Sequence, residues 1–420
     1  MKMKPYRIMA AAAFAAILFC GMTGAQAANK RKDALNGRIM NSMSDIPELK
    51  RMDSEIEGYM RNWGIHGASL AIMRGDSLVY AKGYGYADRE KGELMQPGHI
   101  MRMASVSKLI TAIGIMVLQD RKMLSLDSPV FGPVGILNEY DRYIRDDNYY
   151  LITVEHLLRH SAGFTSRGGD PMFSTRSLMR QHGLNAPPDQ ETLTRLLLQQ
   201  RLAYEPGTSQ EYSNFGYLLL SMIIEKLSGK DYETFMQEEV LRKSGCHDFH
   251  IANNYYSQKY PNEVRYYVHH DDPPVSEYNN SGRNVVRCYG GNDINALSGA
   301  GAWVGSTVEL ARLVACADAR TEIPDIISSF SVFQMTQFFD SATYSLGWID
   351  TKESGEWTRT GSFSGTSALI KYYPDGECWI MITNTSTWKG SRFTRDTAEL
   401  FEGLRTRYST NLPQRDLFRN

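Results

Sequence analysis

The sequence predicts an α/β (α+β) fold, in which an antiparallel sheet is flanked by helices and a mostly helical domain is inserted. Strand-like segments occur near both ends of the chain, over 67–86 and 345–384, and the stretch between them is mainly helices and long loops. Strands at both ends form one sheet most simply when the two ends pair. We therefore expect the α/β part at about 43–104 and 298–405, and the helical insertion at about 105–297.

The composition is that of a soluble globular protein. Of the 420 residues, 42% are hydrophobic and 22% are charged, which excludes collagen, coiled coils, multi-span membrane proteins and disordered tails. The 46 Lys and Arg residues nearly balance 47 Asp and Glu residues. Phosphate binding needs a basic face, so this balance argues against nucleic acid as a principal partner.

The first 27 residues are expected to be a secretory signal peptide rather than part of the fold. Basic residues at 1–7 precede an apolar run from Ile8 to about Met22, and small residues stand at both ends of Ala25-Gln26-Ala27. A membrane anchor is the alternative, but it would need roughly 20 apolar residues, and this run has about 15. Lipidation at Cys20 is a third interpretation, but it would require a small residue where Phe19 stands.

Export implies a periplasmic or secreted protein with no stable membrane span once the signal peptide is removed. Cleavage before Ala28 removes three basic residues and no acidic ones, so the formal net charge falls from −1 to −4. Residues 28–405 are expected to form one domain, and residues 406–420 a C-terminal tail.

Periodicity and turn residues place the elements in order. Apolar runs at 67–73 and 77–86 flank a turn with glycine and predict a hairpin. The segment 104–119 is apolar on nearly every face, which is typical of a helix buried in the centre of a protein. The other helices are expected at 43–63, 152–160, 190–201, 215–228, 231–243, 306–318 and 393–407. The other strands are expected at 345–349, 357–360, 366–373 and 377–384.

The cysteines do not define a disulfide framework. Four remain after cleavage, and an oxidising compartment permits them to pair. Cys316 and Cys378 lie in helical and strand-like runs, where each is expected to be a small buried residue. A bridge between Cys246 and Cys288 is an open alternative, because sequence does not give connectivity.

No metal or other cofactor is expected. The histidine clusters His247-x-x-His250 and His269-His270-Asp271-Asp272 lack a full ligand set, and the second precedes a Pro-Pro turn. We interpret both clusters as solvated turns. His160 is interpreted as a structural histidine that forms hydrogen bonds near a helix end.

The first chemical motif is Ser105-Val106-Ser107-Lys108, at the start of the buried helix. Residues three apart lie on one helical face, so the Ser105 hydroxyl and the Lys108 amine can meet. A serine hydroxyl needs a neighbour to take its proton before it is a good nucleophile. Burial lowers the pKa of a lysine and suits it to that role. A capping serine with a surface lysine is the alternative, but this helix is too apolar to have much surface.

The second motif is Tyr212-Ser213-Asn214, between a Pro-Gly turn and a long apolar helix. In an extended segment Tyr212 and Asn214 point the same way. A tyrosine beside Lys108 would have a lowered pKa and could act as general base and acid. Taken alone, the triplet fits a helix-capping turn better.

The third motif is Arg359-Thr360-Gly361-Ser362, where a strand runs into a glycine. A strand backbone can approach a ligand closely at glycine. The arginine could hold a carboxylate through two parallel hydrogen bonds. The alternative is a surface arginine before a hairpin turn.

The order of the three motifs resembles that of the serine β-lactamase and penicillin-binding protein superfamily. The tyrosine of the second motif is similar to that of the class C β-lactamase and D-alanyl-D-alanine carboxypeptidase branch, the S12 peptidases. The segments 157–164 (LLRHSAGF), 205–229 (EPGTSQEYSNFGYLLLSMIIEKLSG) and 299–313 (GAGAWVGSTVELARL) also resemble family segments. The resemblance covers about residues 50–405.

The resemblance implies a role for each matching residue. Ser105 would be the acylated nucleophile, and Lys108 and Tyr212 would share proton transfer. The substrate contacts would come from Asn214 to an amide, from Arg359 and Thr360 to a carboxylate, and from the backbone N–H groups of Ser105 and Ser362 to the oxyanion. The family usually has Lys or His where Arg359 stands. Arginine keeps the cation but stays charged and cannot take part in proton transfer.

The sequence thus predicts an exported serine hydrolase that acts through an acyl-enzyme on a peptide, ester or β-lactam bond. Its partner would be a small-molecule or peptide substrate, such as a cell-wall peptide or a β-lactam. The alternative is a non-catalytic sensor or envelope scaffold of the penicillin-binding type that keeps the fold. That alternative predicts loss of the Ser, Lys or Tyr, and Ser105, Lys108 and Tyr212 are all present.

Overall fold

The computed structural model describes residues 35–340 and 343–419, and the expected signal peptide at 1–27 lies outside these ranges. The helices are α1 Leu35–Arg38, α2 Lys50–Trp63, α3 Ser107–Asp120, α4 Val154–Leu158, α5 Thr175–His182, α6 Gln190–Leu197, α7 Asn214–Ser228, α8 Tyr232–Met236, α9 Thr307–Ala315, α10 Ser329–Thr336 and α11 Phe393–Tyr408. The strands are β1 Gly67–Arg74, β2 Ser77–Asp88, β3 Glu93–Leu94, β4 Met101–Arg102, β5 His250–Ile251, β6 Val275–Ser276, β7 Asn284–Val285, β8 Trp303–Gly305, β9 Asp350–Thr351, β10 Trp357–Phe363, β11 Thr366–Tyr372 and β12 Glu377–Thr383.

The central sheet joins the two ends of the chain, which confirms the predicted fold class. Its seven strands lie in the order β3-β2-β1-β12-β11-β10-β9, and each neighbouring pair is antiparallel. The ends meet where β1 pairs with β12, from Ala68 opposite Thr383 to Arg74 opposite Glu377. This pairing places the C-terminal strand β10 near the outer edge of the sheet, beside the chemical motifs.

The sheet is covered on both faces, because successive side chains of a strand point to opposite sides. In β1, Leu70 and Ile72 pack in one apolar cluster with α2 and α11, and Ala71 and Met73 pack in the other cluster with α3 and α9. Strands covered in this way have no solvated face, and every residue of β11 and β12 is buried. Their nearly continuous apolar sequence follows from this.

Helix α3 is buried along almost its whole length, as predicted from its apolar sequence. Residues 107–118 are all buried, and Lys108 is one of the few polar residues among them. The helix packs against α7, and the 3₁₀ turn before it, Ala104–Val106, packs against β10 and β11. The start of α3 therefore lies between the sheet and the helical region.

Some predicted elements differ from those observed. The segment 345–349, expected as a strand, is an irregular turn in which Gly347 has φ +84°. Its apolar pattern reflects the burial of Leu346 and Trp348 rather than strand pairing. The expected helix at 43–63 begins only at Lys50, because two 3₁₀ turns, the second starting at Pro47, precede it. Helices α5 and α10 were not predicted.

The segment after residue 405 is packed on the domain. Helix α11 continues to Tyr408, and the Leu417 N–H then donates to the Leu78 carbonyl of β2 at 2.8 Å. Leu412 and Phe418 are buried. The segment after residue 405, which was expected to be a tail, therefore packs against the apolar core.

The four cysteines of the described chain, Cys246, Cys288, Cys316 and Cys378, are buried free thiols. The bridge between Cys246 and Cys288 is absent, and burial raises the pKa of both thiols. Among the residues described, no helix has the length and apolar character required to cross a bilayer.

Candidate active site

The Ser105 and Lys108 side chains meet at the start of α3, as their spacing predicts. Lys108 Nζ lies 3.3 Å from Ser105 Oγ. Ser105 sits in the 3₁₀ turn that leads into the helix, directly after Ala104, whose φ is +48°. This left-handed conformation is costly for a residue with a Cβ, and such strain concentrates at functional sites.

Oxygen atoms from distant parts of the chain surround the Lys108 ammonium. Its Nζ donates to Asn214 Oδ1 at 2.6 Å and to the Ala300 carbonyl at 2.6 Å. Lys108 has no exposed surface. Burial lowers the pKa of the amine, and the nearby Arg359 charge lowers it further, although Tyr212 and Asp170 oppose the shift. The predicted depression of the Lys108 pKa is confirmed.

Tyr212 lies against both cations of the site. Lys108 Nζ is 4.7 Å from the centre of its ring, and Arg359 Nη2 donates to the phenol oxygen at 3.1 Å. Burial alone would raise the pKa of the phenol, but the charges of Lys108 and Arg359 outweigh it and lower the pKa to about 8. A tenth of the phenol is then ionised one pH unit below that value, so Tyr212 can act as a general base near neutral pH.

His160 supports Tyr212 from behind and is structural, as predicted. Its Nδ1 accepts the Ser213 N–H at 3.1 Å, and its ring centre lies 4.3 Å from that of Tyr212. Burial and the charges of Lys108 and Arg359 hold the pKa of the imidazole well below its usual range. A neutral ring can accept at Nδ1, and it adds no third positive charge beside the phenol.

Asn214 is the first residue of α7, and Ser213 caps that helix. The carboxamide is engaged at both ends, because Oδ1 accepts from Lys108 and Nδ2 donates to Asp170 Oδ2 at 2.5 Å. Asn214 therefore holds Lys108 in place, and its contact with a substrate amide stays a prediction. Asp170 was missed by the sequence analysis, although an aspartate before a proline marks the start of a helical turn.

Arg359 is on β10 but does not project freely into the cleft. It is 1% exposed, and its Nε donates to the Ser105 carbonyl at 2.8 Å. Nε and one N–H of Nη2 are therefore already used. Among the described residues, the buried Nη1 has no hydrogen-bond partner. The expected two-bond grip of Arg359 on a carboxylate stays a prediction.

The strand that carries Thr360 and Ser362 has an open edge toward Ser105. Strand β9 pairs with β10 only at Trp357 and Thr358, so within the described chain the outer edge of β10 beyond these residues has no strand partner. Backbone N–H groups on such an edge are free to donate a hydrogen bond to a ligand atom. The oxyanion role of the Ser105 and Ser362 N–H groups and the substrate contact of Thr360 fit this arrangement and stay predictions.

Gly361 allows β10 to approach the 3₁₀ turn that contains Ser105. A Cβ at this position would lie 2.2 Å from the Met103 carbonyl oxygen and 3.1 Å from the Ser105 nitrogen. We expect Gly361→Ala to push β10 away from the turn and to lower kcat/KM by about 10²-fold or more, because small displacements of a catalytic site are costly. A matched control is Gly58→Ala on α2, where the nearest atom is 3.7 Å away. Unchanged kinetics in purified Gly361→Ala protein would contradict this role.

The expected absence of a metal site concerned two histidine clusters. In the first, His250 Nε2 pairs with Asp248 at 3.0 Å and its ring stacks on Tyr260. In the second, ligand atoms of His269, His270 and Asp271 lie within 4.8 Å of one another on a largely exposed loop. These three could hold an ion, but within the described chain they share no hydrogen bond with the Ser105 site.

Comparison of the sequence with known proteins identifies its family. The family model described as Beta-lactamase matches residues 52–403, which include all the site residues. Penicillin-binding protein 4* of Bacillus subtilis (strain 168) is 27% identical over 206 residues, covering 49% of this chain and 41% of that protein. Esterase EstB of Burkholderia gladioli is 27% identical over 201 residues, covering 47% of this chain and 50% of that protein. The chain thus matches half or less of the length of these two relatives.

A solved structure shares the fold. The D-amino acid amidase from Ochrobactrum anthropi SV3, in its complex with D-phenylalanine, matches with a TM-score of 0.66 and 19% sequence identity. The match covers 86% of this chain and 99% of the amidase. With the family model spanning most of the sequence, and Ser105, Lys108 and Tyr212 brought together in the structure, the chain belongs to the beta-lactamase family.

Proposed function

We propose that the protein is an exported hydrolase that cleaves a peptide, ester or β-lactam bond through an acyl-enzyme on Ser105. The observation that carries the proposal is the 3.3 Å contact between Ser105 Oγ and the fully buried Lys108 Nζ, beside a tyrosine whose pKa is about 8. A hydroxyl with two such neighbours has the activation that nucleophilic catalysis requires.

Each step of the proposed mechanism has a residue at hand. The Tyr212 phenolate, stabilised by Lys108 and Arg359, accepts the proton of Ser105 as its Oγ attacks the substrate carbonyl carbon. The tetrahedral oxyanion is received by the backbone N–H groups of Ser105 and Ser362. The intermediate collapses, the leaving group takes the proton from Tyr212, and an ester to Ser105 remains. Water, deprotonated by the same phenolate, then attacks the ester carbon, and Ser105 Oγ takes that proton from Tyr212 as the acid leaves.

A substrate that carries a carboxylate fits the cationic character of the cleft. The buried Arg359 guanidinium contacts the Ser105 carbonyl, and its Nη1 has no hydrogen-bond partner among the described residues. The two relatives are named as a penicillin-binding protein and an esterase, and the structural neighbour as a D-amino acid amidase. These names favour a D-Ala-D-Ala carboxypeptidase, an esterase or a β-lactamase as the activity. Periplasmic or secreted localisation belongs to the same proposal and is checked by N-terminal sequencing of the mature protein, which should begin at Ala28.

Intact mass spectrometry of the folded protein tests the proposal. An alkyl fluorophosphonate is expected to add once per chain, and benzylpenicillin is expected to add as well if amide-type substrates are used. An adduct with the fluorophosphonate alone favours the esterase activity. A stable penicillin adduct without turnover of any ester would favour the sensor or scaffold alternative. No adduct with either reagent would contradict the proposal.

The pH dependence of turnover should report Tyr212. The phenol must lose its proton to act as a base, so kcat/KM for an uncharged ester is expected to rise with pH around a midpoint near 8. Tyr212→Phe is expected to lower kcat/KM by about 10²- to 10⁴-fold and to remove this rise. Tyr344→Phe is the control, because its ring lies 6.1 Å from that of Tyr212 without a hydrogen bond to it. An unchanged pH midpoint in Tyr212→Phe would show that another group titrates.

A further inference from the structure

A polar cavity lies beside the candidate active site. Its volume is about 240 Å³, and it opens between helix α5 and the segments around β6 and β7. Arg176 and Arg180 line the cavity from successive turns of α5, and Arg287 lines it from the segment after β7. None of the residues around the cavity is acidic. Three guanidinium groups therefore share one space in a chain whose charges otherwise nearly balance.

The three guanidinium groups form few hydrogen bonds within the described chain. Arg176 donates through Nε to Asn280 Oδ1 at 3.3 Å, which leaves both of its terminal nitrogens free for other partners. Within the described ranges, the side chains of Arg180 and Arg287 have neither a hydrogen bond nor an ion pair. Like charges that face one cavity repel each other, and a bound anion relieves that repulsion.

The acidic residues nearest in sequence are committed elsewhere. Glu277 stands between two cavity-lining residues, yet its buried carboxylate pairs with Arg283. Asp293 follows a lining residue and accepts from Asn254 Nδ2 at 3.0 Å. The positive charge of the cavity is therefore not neutralised from its walls.

The cavity and the catalytic cleft share one turn of the chain. Phe173, at the end of this turn, lines the cavity, and its ring centre is 5.7 Å from that of Phe363. Phe363 directly follows Ser362 on β10. Asp170, at the start of the same turn, contacts Asn214 in the cleft. A substrate that extends past the Phe173 and Phe363 rings would reach the three arginines.

We propose that the Arg176, Arg180 and Arg287 cavity is an anion subsite that holds a carboxylate of the substrate, remote from the bond that Ser105 attacks. Arginine binds carboxylates through paired parallel hydrogen bonds. The side-chain amide of Asn292 in the wall supplies further donors. The link to catalysis rests on the proposed function, whereas anion binding by the cavity does not.

Calorimetric titration tests anion binding without turnover. The probes are glutarate and its uncharged diamide, added to Ser105→Ala protein. Glutarate is expected to bind and the diamide is not. Adding Arg176→Gln and Arg287→Gln should weaken glutarate binding by about tenfold or more, because charge-assisted hydrogen bonds are lost. The control pair Arg51→Gln and Arg242→Gln removes the same charge outside the cavity. Equal glutarate affinity in both double variants, or tighter binding of inorganic phosphate than of glutarate, would overturn the proposal.

Kinetics tests the link to the catalytic site. Peptide esters that end in a free carboxylate or a carboxamide, one to three residues from the ester, are compared. The native protein should show a higher kcat/KM for the carboxylate form, and the Arg176 and Arg287 double variant should lose only that preference. Equal losses on both forms would overturn the subsite role. If no ester is hydrolysed while glutarate still binds, the proposed function fails and the anion site stands, so the two failures are distinguishable.

Discussion

Ser105→Ala is expected to abolish covalent labelling by both the fluorophosphonate and the penicillin, and to reduce ester turnover to the uncatalysed background. The reason is that Ser105 Oγ is the hydroxyl that lies 3.3 Å from Lys108 Nζ, and alanine leaves nothing to acylate. Removal of a catalytic nucleophile lowers kcat by about 10⁶-fold in well-developed serine hydrolases. Intact mass spectrometry measures the labelling, and a chromogenic ester measures the turnover.

Ser107→Ala is a matched control for this prediction. Ser107 lies two residues further along the same helix start, and its Oγ accepts the Trp303 N–H at 3.1 Å. Loss of this buried acceptor should cost about 1–3 kcal/mol of unfolding free energy and leave labelling intact. If the Ser105→Ala protein were labelled as fully as native protein while folded, Ser105 would not be the nucleophile.

Lys108→Met is expected to lower the acylation rate by about 10²- to 10⁴-fold, which is the range for loss of a group that moves or stabilises a proton. Methionine keeps the length of the side chain and removes its charge. The Tyr212 phenolate would then lose one of the two cations that stabilise it, so the pKa of the phenol should rise above about 8. The residual activity should shift to higher pH. Stopped-flow labelling across a pH series measures both effects.

The stability of Lys108→Met separates a catalytic role from a structural one. Burial lowers the pKa of Lys108, which means that the fold disfavours its charged form. An apolar side chain removes that cost but leaves the Asn214 Oδ1 and Ala300 carbonyl acceptors without their donor, so the unfolding free energy should change by no more than about 1–3 kcal/mol. Lys371→Met is the control, since Lys371 is also buried but pairs with Glu402 at 2.7 Å. Equal kinetics in the two variants would refute the role of Lys108.

Much of the candidate site could be predicted from three short motifs, because the spacing within each motif fixes the relative positions of its residues. The spacing of Ser105 and Lys108 brings both to one face at the start of a helix wherever that helix lies. Apolar periodicity likewise identified α3 and α7, since burial on all sides leaves a continuous apolar sequence. The fold class followed from strands at both ends of the chain, which must pair to satisfy their backbone groups.

The partners of these residues could not be predicted, because they are far away in the sequence. Asp170 contacts Asn214, and the Ala300 carbonyl contacts Lys108. Both contacts are made by loops, whose sequences have no periodic pattern of apolar residues. The inward direction of Arg359 depends on the Ser105 carbonyl, which is 254 positions away. A strand-end arginine has the same sequence whether it faces solvent or a buried phenol.

The sequence by itself determined which groups the proposed chemistry uses, namely Ser105, the buried Lys108 and Tyr212, and the sheet that supports them. The tertiary structure alone decided their electrostatic setting, namely the pKa of Tyr212, the restricted hydrogen bonding of Arg359 and the unneutralised cavity of Arg176, Arg180 and Arg287. The physical reason is one of range. Helix and strand patterns arise from neighbours in the chain, whereas burial and charge act through space between segments that only folding brings together.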